Sequence, residues 1–107
     1  MSKLIKPERH SEILVINRLA AVLKEERISN KKLAEILGYE PATISKWATN
    51  TIQPPLSTFL RIALIINRDL RDFFISTREF DDAEKNILLK NLTEIAERGK
   101  RARKNKA

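Results

Sequence analysis

The sequence predicts an all-α fold, and three observations carry that expectation. Apolar residues recur at intervals of three and four along most of the chain, the period of a helix with one buried face. No stretch alternates apolar and polar residues long enough to make a strand. Helix-starting and helix-stopping residues (Ser29, Gly38, Pro41, Pro54, Pro55) punctuate the pattern closely, so the helices between them are short.

Ile16, Leu19, Ala20 and Leu23 stand at i, i+3, i+4 and i+7 and place a first helix over roughly 11–26. Ser29 is a good N-cap for a second helix holding Leu33, Ala34 and Leu37. Gly38 tolerates the left-handed conformation that ends a helix. Pro41 suits the first turn of a third helix, where its missing N–H would have no partner anyway. Asn50, the next-best left-handed residue after Gly, closes that helix. Pro54-Pro55 forces a fresh start, and Leu56, Phe59, Leu60 and Ala63 open a fourth helix. A short fifth helix is expected over Asp69 to Phe74, then a connector over 75–80. Asp81 with Glu84 three residues on resembles a capping box. It opens a helix over 82–98 with the apolar stripe Ile87, Leu88, Leu92 and Ile95, which Gly99 is expected to end. Acidic residues at its start and basic ones at its end suit the helix dipole.

At 107 residues the chain has room for one modest core, and 42% hydrophobic with 33% charged residues is a soluble globular composition. There is no Cys, which excludes disulfides and thiolate metal sites. The longest apolar run, "IALII" at 62–66, is too short to span a bilayer, and no signal-peptide apolar region follows Met1. A cytoplasmic protein without a membrane partner is expected. His10 is the only His, and two Gly leave no phosphate-cradling loop. No catalytic residue, metal ligand or cofactor site is expected, and the protein is not read as an enzyme. Of 21 basic and 14 acidic residues, six basic and no acidic ones lie in 98–107. Positions 1–97 are therefore nearly neutral, with 15 basic and 14 acidic residues. The overall charge of +7 is a property of the tail, so any argument for nucleic acid must rest on particular side chains.

The stretch "GYEPATISKWATN", residues 38–50, supplies those side chains. Its helix has only two large apolar residues, Ile44 and Trp47, three apart; Ala42, Thr43, Ser45, Lys46 and Thr49 are small or polar. With the helix before it and the short Gly38-Tyr39-Glu40 joint, it makes a helix-turn-helix candidate. Residues 16–74 carry "INRL", "S-N-x-x-L-A-x-x-L-G", "ATISKW" and "QPPLSTFLRIA" in order, and over that span the chain resembles the Xre family of lambda-repressor-like and Cro-like regulators.

The resemblance implies a five-helix DNA-binding domain whose third helix lies in the major groove of double-stranded DNA. Ile44 and Trp47 would anchor that helix. Ala42 and the Thr43 methyl would meet thymine methyls, while Thr43, Ser45 and Lys46 would offer hydrogen bonds, Lys46 best to guanine. Asn30 takes the place where the family usually has a phosphate-binding Gln, with Lys31 beside it. Thr49, Asn50, Thr51 and Gln53 fall where family members commonly touch the DNA backbone. Two departures stand out. Pro41-Ala42 replaces the usual Gln-Gln or Gln-Ser, so no bidentate adenine contact can come from Pro41. Leu23 and Ala48 replace an Arg–Glu pair that often bridges the first and third helices, and are expected to lie near each other.

The expected layout is a flexible 1–10, a helix-turn-helix domain over 11–75, a helical extension over 76–98 for packing or dimerisation, and a disordered basic tail over 99–107. Leu64 and Ile65 call for a cover, from the 82–98 helix of the same chain or of a second copy. The tail is either an arm adding salt-dependent phosphate affinity or a solubilising end. Two functions follow: a sequence-specific regulator, acting as a repressor and homodimer, or an antitoxin-like module of the same fold that neutralises a protein partner.

Overall fold

The computed structural model describes the backbone of residues 14–105 and the side chains of residues 14–100. Its regular elements are α1 (Leu19–Glu26), α2 (Asn30–Leu37), α3 (Pro41–Ala48), α4 (Leu56–Ile66), 3₁₀ turns at Leu70–Phe73 and Thr77–Glu79, and α5 (Asp82–Asn105). The all-α class expected from the periodicity is the observed one; among the described residues, β pairing is confined to an isolated antiparallel bridge between Asn17 and Phe74. The chain divides into two compact units, one ending at Ile75 and the other beginning at Ser76.

Local signals set the ends of α2 and α3. The Ser29 hydroxyl accepts the Lys32 N–H at 3.0 Å. Gly38 takes φ +82° while its own N–H donates to the Ala34 carbonyl at 2.8 Å. A side chain at that φ would be strained, which is the reason for glycine there. Pro41 sits in the first turn of α3, and Asn50 follows the helix with φ +61°. The expected capping box is also present: Glu84 N–H donates to Asp81 Oδ1 at 2.8 Å and Asp81 N–H to Glu84 Oε1 at 3.1 Å.

Other boundaries move for reasons that are not local. α1 begins at Leu19 instead of near residue 11, and residues 14–18 are not helical. The N–H groups of Ile16 and Asn17 both donate to Asn50 Oδ1 at 2.8 Å, and that of Arg18 to the Phe73 carbonyl at 2.8 Å. The fifth helix shortens to a 3₁₀ turn, Leu70–Phe73, capped by Asp69, which accepts the Arg71 N–H at 2.8 Å. Hydrogen bonds from Arg71 hold the Asp69 carboxyl below its ordinary pKa. The expected connector contains a second 3₁₀ turn. α5 does not stop at Gly99 but runs on to Asn105. A mid-helix Gly costs about 1 kcal/mol relative to Ala. The Arg and Lys residues around it are good helix formers and suit a helix C-terminus, which offsets that cost. The loose segment expected over 1–10 and the start of the first helix at 11–13 lie outside the described residues, as do 106–107.

The core of the first unit is built from one face of each helix. α1 gives Leu19, Val22 and Leu23; α2 gives Leu33, Ala34 and Leu37; α3 gives Ile44 and Trp47. α4 turns Phe59, Ile62 and Ala63 inward, with Ile66 packed against the cluster, and Phe73 closes it. That corrects the expected α4 stripe: Leu56 and Leu60 are 65% and 48% exposed, and Leu64 continues their line at 74%. The core takes the i, i+3, i+4, i+7 set that contains Phe59, which leaves the i, i+4, i+8 leucines outside. Leu23 is a core member, and Ala48 packs against the same cluster in place of the missing ion pair.

A three-carboxylate clasp ties α1 to the segment after α4. Arg68 reaches Glu25 and Glu26 at 2.9 Å each and Asp72 at 3.0 Å. Hydrogen bonds to Glu26, Glu25 and Asp72, in that order, raise its already high pKa.

Candidate nucleic-acid interface

α2 and α3 pack through Leu33, Ala34 and Leu37 on one side and Ile44 and Trp47 on the other. The joint between them is short because Gly38 reverses the chain and Tyr39 N–H also bonds the Ala34 carbonyl, at 2.9 Å. The Tyr39 ring stands edge-on to Trp47, centroids 5.1 Å apart, which braces the indole from the turn side.

The two flanks of α3 differ completely. Ile44 is fully buried and Trp47 6% exposed. Ala42, Ser45, Lys46 and Thr49 lie at i, i+3, i+4 and i+7, one face on the opposite side, and all four are exposed. Thr43 stands at the edge of that face, half-buried. The short side chains let the helix backbone approach another surface closely, and Lys46 supplies one long donor. Charge is nearly even, with Lys31, Lys32 and Lys46 against Glu35 and Glu40 over residues 29–53, a net of +1.

The remaining predicted site residues separate into two groups. Lys31 is exposed on the first turn of α2, beside half-buried Asn30. Thr51 is exposed as well; its hydroxyl lies 2.8 Å from that of Thr49, either of the two being able to donate, and the Thr49 hydroxyl is also 2.9 Å from the Ser45 carbonyl. The amides of Asn50 and Gln53 are instead engaged within the chain, Asn50 half-buried and Gln53 at the surface. Asn50 Oδ1 accepts from Ile16, Asn17 and Gln53, and its Nδ2 donates to the Asn17 carbonyl at 3.2 Å. Gln53 Oε1 accepts from Asn17 Nδ2 at 2.7 Å.

Asn17 is the residue that the sequence reading passed over. It is 2% exposed and its side chain is fully bonded, to Leu19, Trp47 and Gln53. The available signal was an Asn two positions before the first periodic leucine, a helix-start residue type. Its partners, some thirty residues away, left no local trace. Among the described residues, no group of three His, Cys, Asp or Glu is placed to hold a metal ion, and no helix is long and apolar enough to cross a membrane.

Two short helices at a tight glycine-hinged joint, the second anchored on one side and bare on the other, define a helix-turn-helix domain. The helix-turn-helix family model matches residues 19–73, and the chain belongs to that family, in its lambda-repressor-like (Xre) form. A crystal structure of a candidate DNA-binding protein from Bacteroides fragilis is similar, at 37% identity and a TM-score of 0.55, covering 56% of this chain and 97% of that one. No curated protein matches the chain.

Proposed function

We propose that the chain is a sequence-specific double-stranded DNA-binding transcriptional regulator that represses by occupying its operator as a homodimer. The observation that carries this reading is the bare small-and-polar face of α3 opposite an anchored one. In a major groove, Ala42 and the Thr43 methyl meet thymine methyls, Ser45 and Thr43 hydrogen-bond base edges, and Lys46 reaches guanine O6 and N7. Asn30, Lys31 and the Thr49–Thr51 pair contact phosphates and set register. The likeness to the Bacteroides fragilis protein supports the same reading. The exposed line of Leu56, Leu60 and Leu64 supports a second copy, and a two-fold dimer reads two half-sites about 34–36 Å apart.

Selection of bound duplexes from a random library tests this directly. A two-fold symmetric motif should be enriched, and Lys46→Ala should cost about 1–3 kcal/mol at one base position in each half-site. Uniform weak binding to all sequences would refute the regulator. A second reading, neutralisation of a protein partner in the manner of an antitoxin, is favoured by Ile87, Leu89, Leu92 and Ile95, all at least 40% exposed on α5. It predicts a partner that co-purifies in fixed ratio.

A further inference from the structure

Asn17 lies outside the helix pair, yet it is the point where three stretches of chain meet. Its carbonyl and N–H are both taken by the Asn50 amide, at 3.2 and 2.8 Å, a side chain copying the pairing of a neighbouring strand. Its own Nδ2 donates to the Trp47 carbonyl at 3.1 Å and to Gln53 Oε1 at 2.7 Å, while Oδ1 accepts the Leu19 N–H at 2.9 Å. On its other side it bridges Phe74. The Trp47 carbonyl belongs to the last turn of α3, where carbonyls lose their helical partners and need others. The Asn17 side chain therefore ties the exit of α3, and its backbone, through the Asn50 amide, braces the left-handed step at φ +61°.

We infer that Asn17 is a positioning residue for DNA recognition: a buried amide that never reaches DNA but sets the turn leaving α3, and with it the aim of the Thr49–Thr51 hydroxyls at the phosphates. The two asparagines serve differently. At position 50, glycine would keep the backbone but lose the amide, and aspartate would lose the donor to the Asn17 carbonyl. At position 17 the Asn50 amide meets only backbone, so an apolar side chain would leave that exchange intact but remove the ties to Gln53 and to the Trp47 carbonyl, which would keep only the Asn50 N–H at 3.1 Å. Because phosphate contacts set register and carry no base information, loosening this turn should weaken binding to every sequence alike and leave base preference intact. The inference rests on the proposed entry of α3 into a groove.

The test measures binding of the full chain to the duplex enriched by selection and to an unrelated duplex. Measurements span several salt concentrations, at a temperature where circular dichroism shows each variant folded. Asn17→Ala removes the three side-chain bonds; Asn50→Gly removes the amide and keeps the left-handed backbone. Both should weaken binding to both duplexes by a similar factor at every salt concentration, with the slope of log K against log salt unchanged, because a neutral hydroxyl neutralises no phosphate. A purely structural role would lower the melting temperature and leave the affinity of the folded variants alone. Folded variants with wild-type affinity for both duplexes would overturn the inference, as would a loss confined to the enriched duplex. If Asn17→Ala does not fold, Asn50→Gly decides alone. Failure of the groove reading looks different, since the wild-type chain would then enrich no sequence, and the inference would fall with it.

Discussion

Adjacent residues of α3 have opposite duties, and their substitutions should separate cleanly. Ile44 is fully enclosed, so Ile44→Ala leaves a cavity and should cost about 2–5 kcal/mol in urea unfolding. Ser45 is exposed and free of packing duties, so Ser45→Ala should shift stability by no more than about 0.5 kcal/mol. Its effect belongs in binding: lower affinity for the selected duplex with an unchanged unfolding midpoint. Trp47, the only tryptophan and 6% exposed, gives the fluorescence signal for unfolding. Equal destabilisation by the two substitutions would mean that both flanks of the helix pack.

At the scale of the element, what could be read in advance follows how far away the determining partner lies. Ser29, Gly38 and Pro41 act within four residues, so α2 was legible to the residue and α3 at its start, while α3 ends at Ala48, short of the expected close at Asn50. The start of α1 was not, because Ile16 keeps the helical spacing while a side chain 34 positions later takes its N–H. The α4 face was half legible: periodicity marked the helix, but two apolar stripes competed and only the packed fold chose the one with Phe59. Arg68 shows the same limit. Its carboxylate partners Glu25 and Glu26 lie 43 and 42 positions away. Arg68→Met should lower the melting temperature most at low salt, because added salt screens the wild-type pairs and leaves the variant nothing to lose. A salt-independent difference would assign the effect to packing of the side chain's stem.

Across the whole molecule, the candidate site was legible where it depends on α3 and opaque where it depends on long-range hydrogen bonds. Ala42, Ser45, Lys46 and Thr49 share the open face, whereas Asn50 and Gln53 are held from within by Asn17. Charge is divided just as unevenly, with a net of +1 over residues 1–97 and six cations in the last ten residues. A contact-driven interface on the first unit with an added electrostatic term from the basic end predicts a specific consequence. Removing residues 98–107 should flatten the salt slope of DNA binding by up to about five units while keeping the selected motif. An unchanged slope would make those residues a solubilising end.

The central claim is that α3 is held by Ile44 and Trp47 so that its other flank can enter a groove. It is tested most directly by titrating the ¹⁵N-labelled chain with the duplex that selection enriches and mapping the amide shifts. The largest changes should fall on Ala42, Thr43, Ser45, Lys46 and the turn at 49–51. Shifts gathered on α4 or α5, with the amides of α3 unmoved, would contradict it.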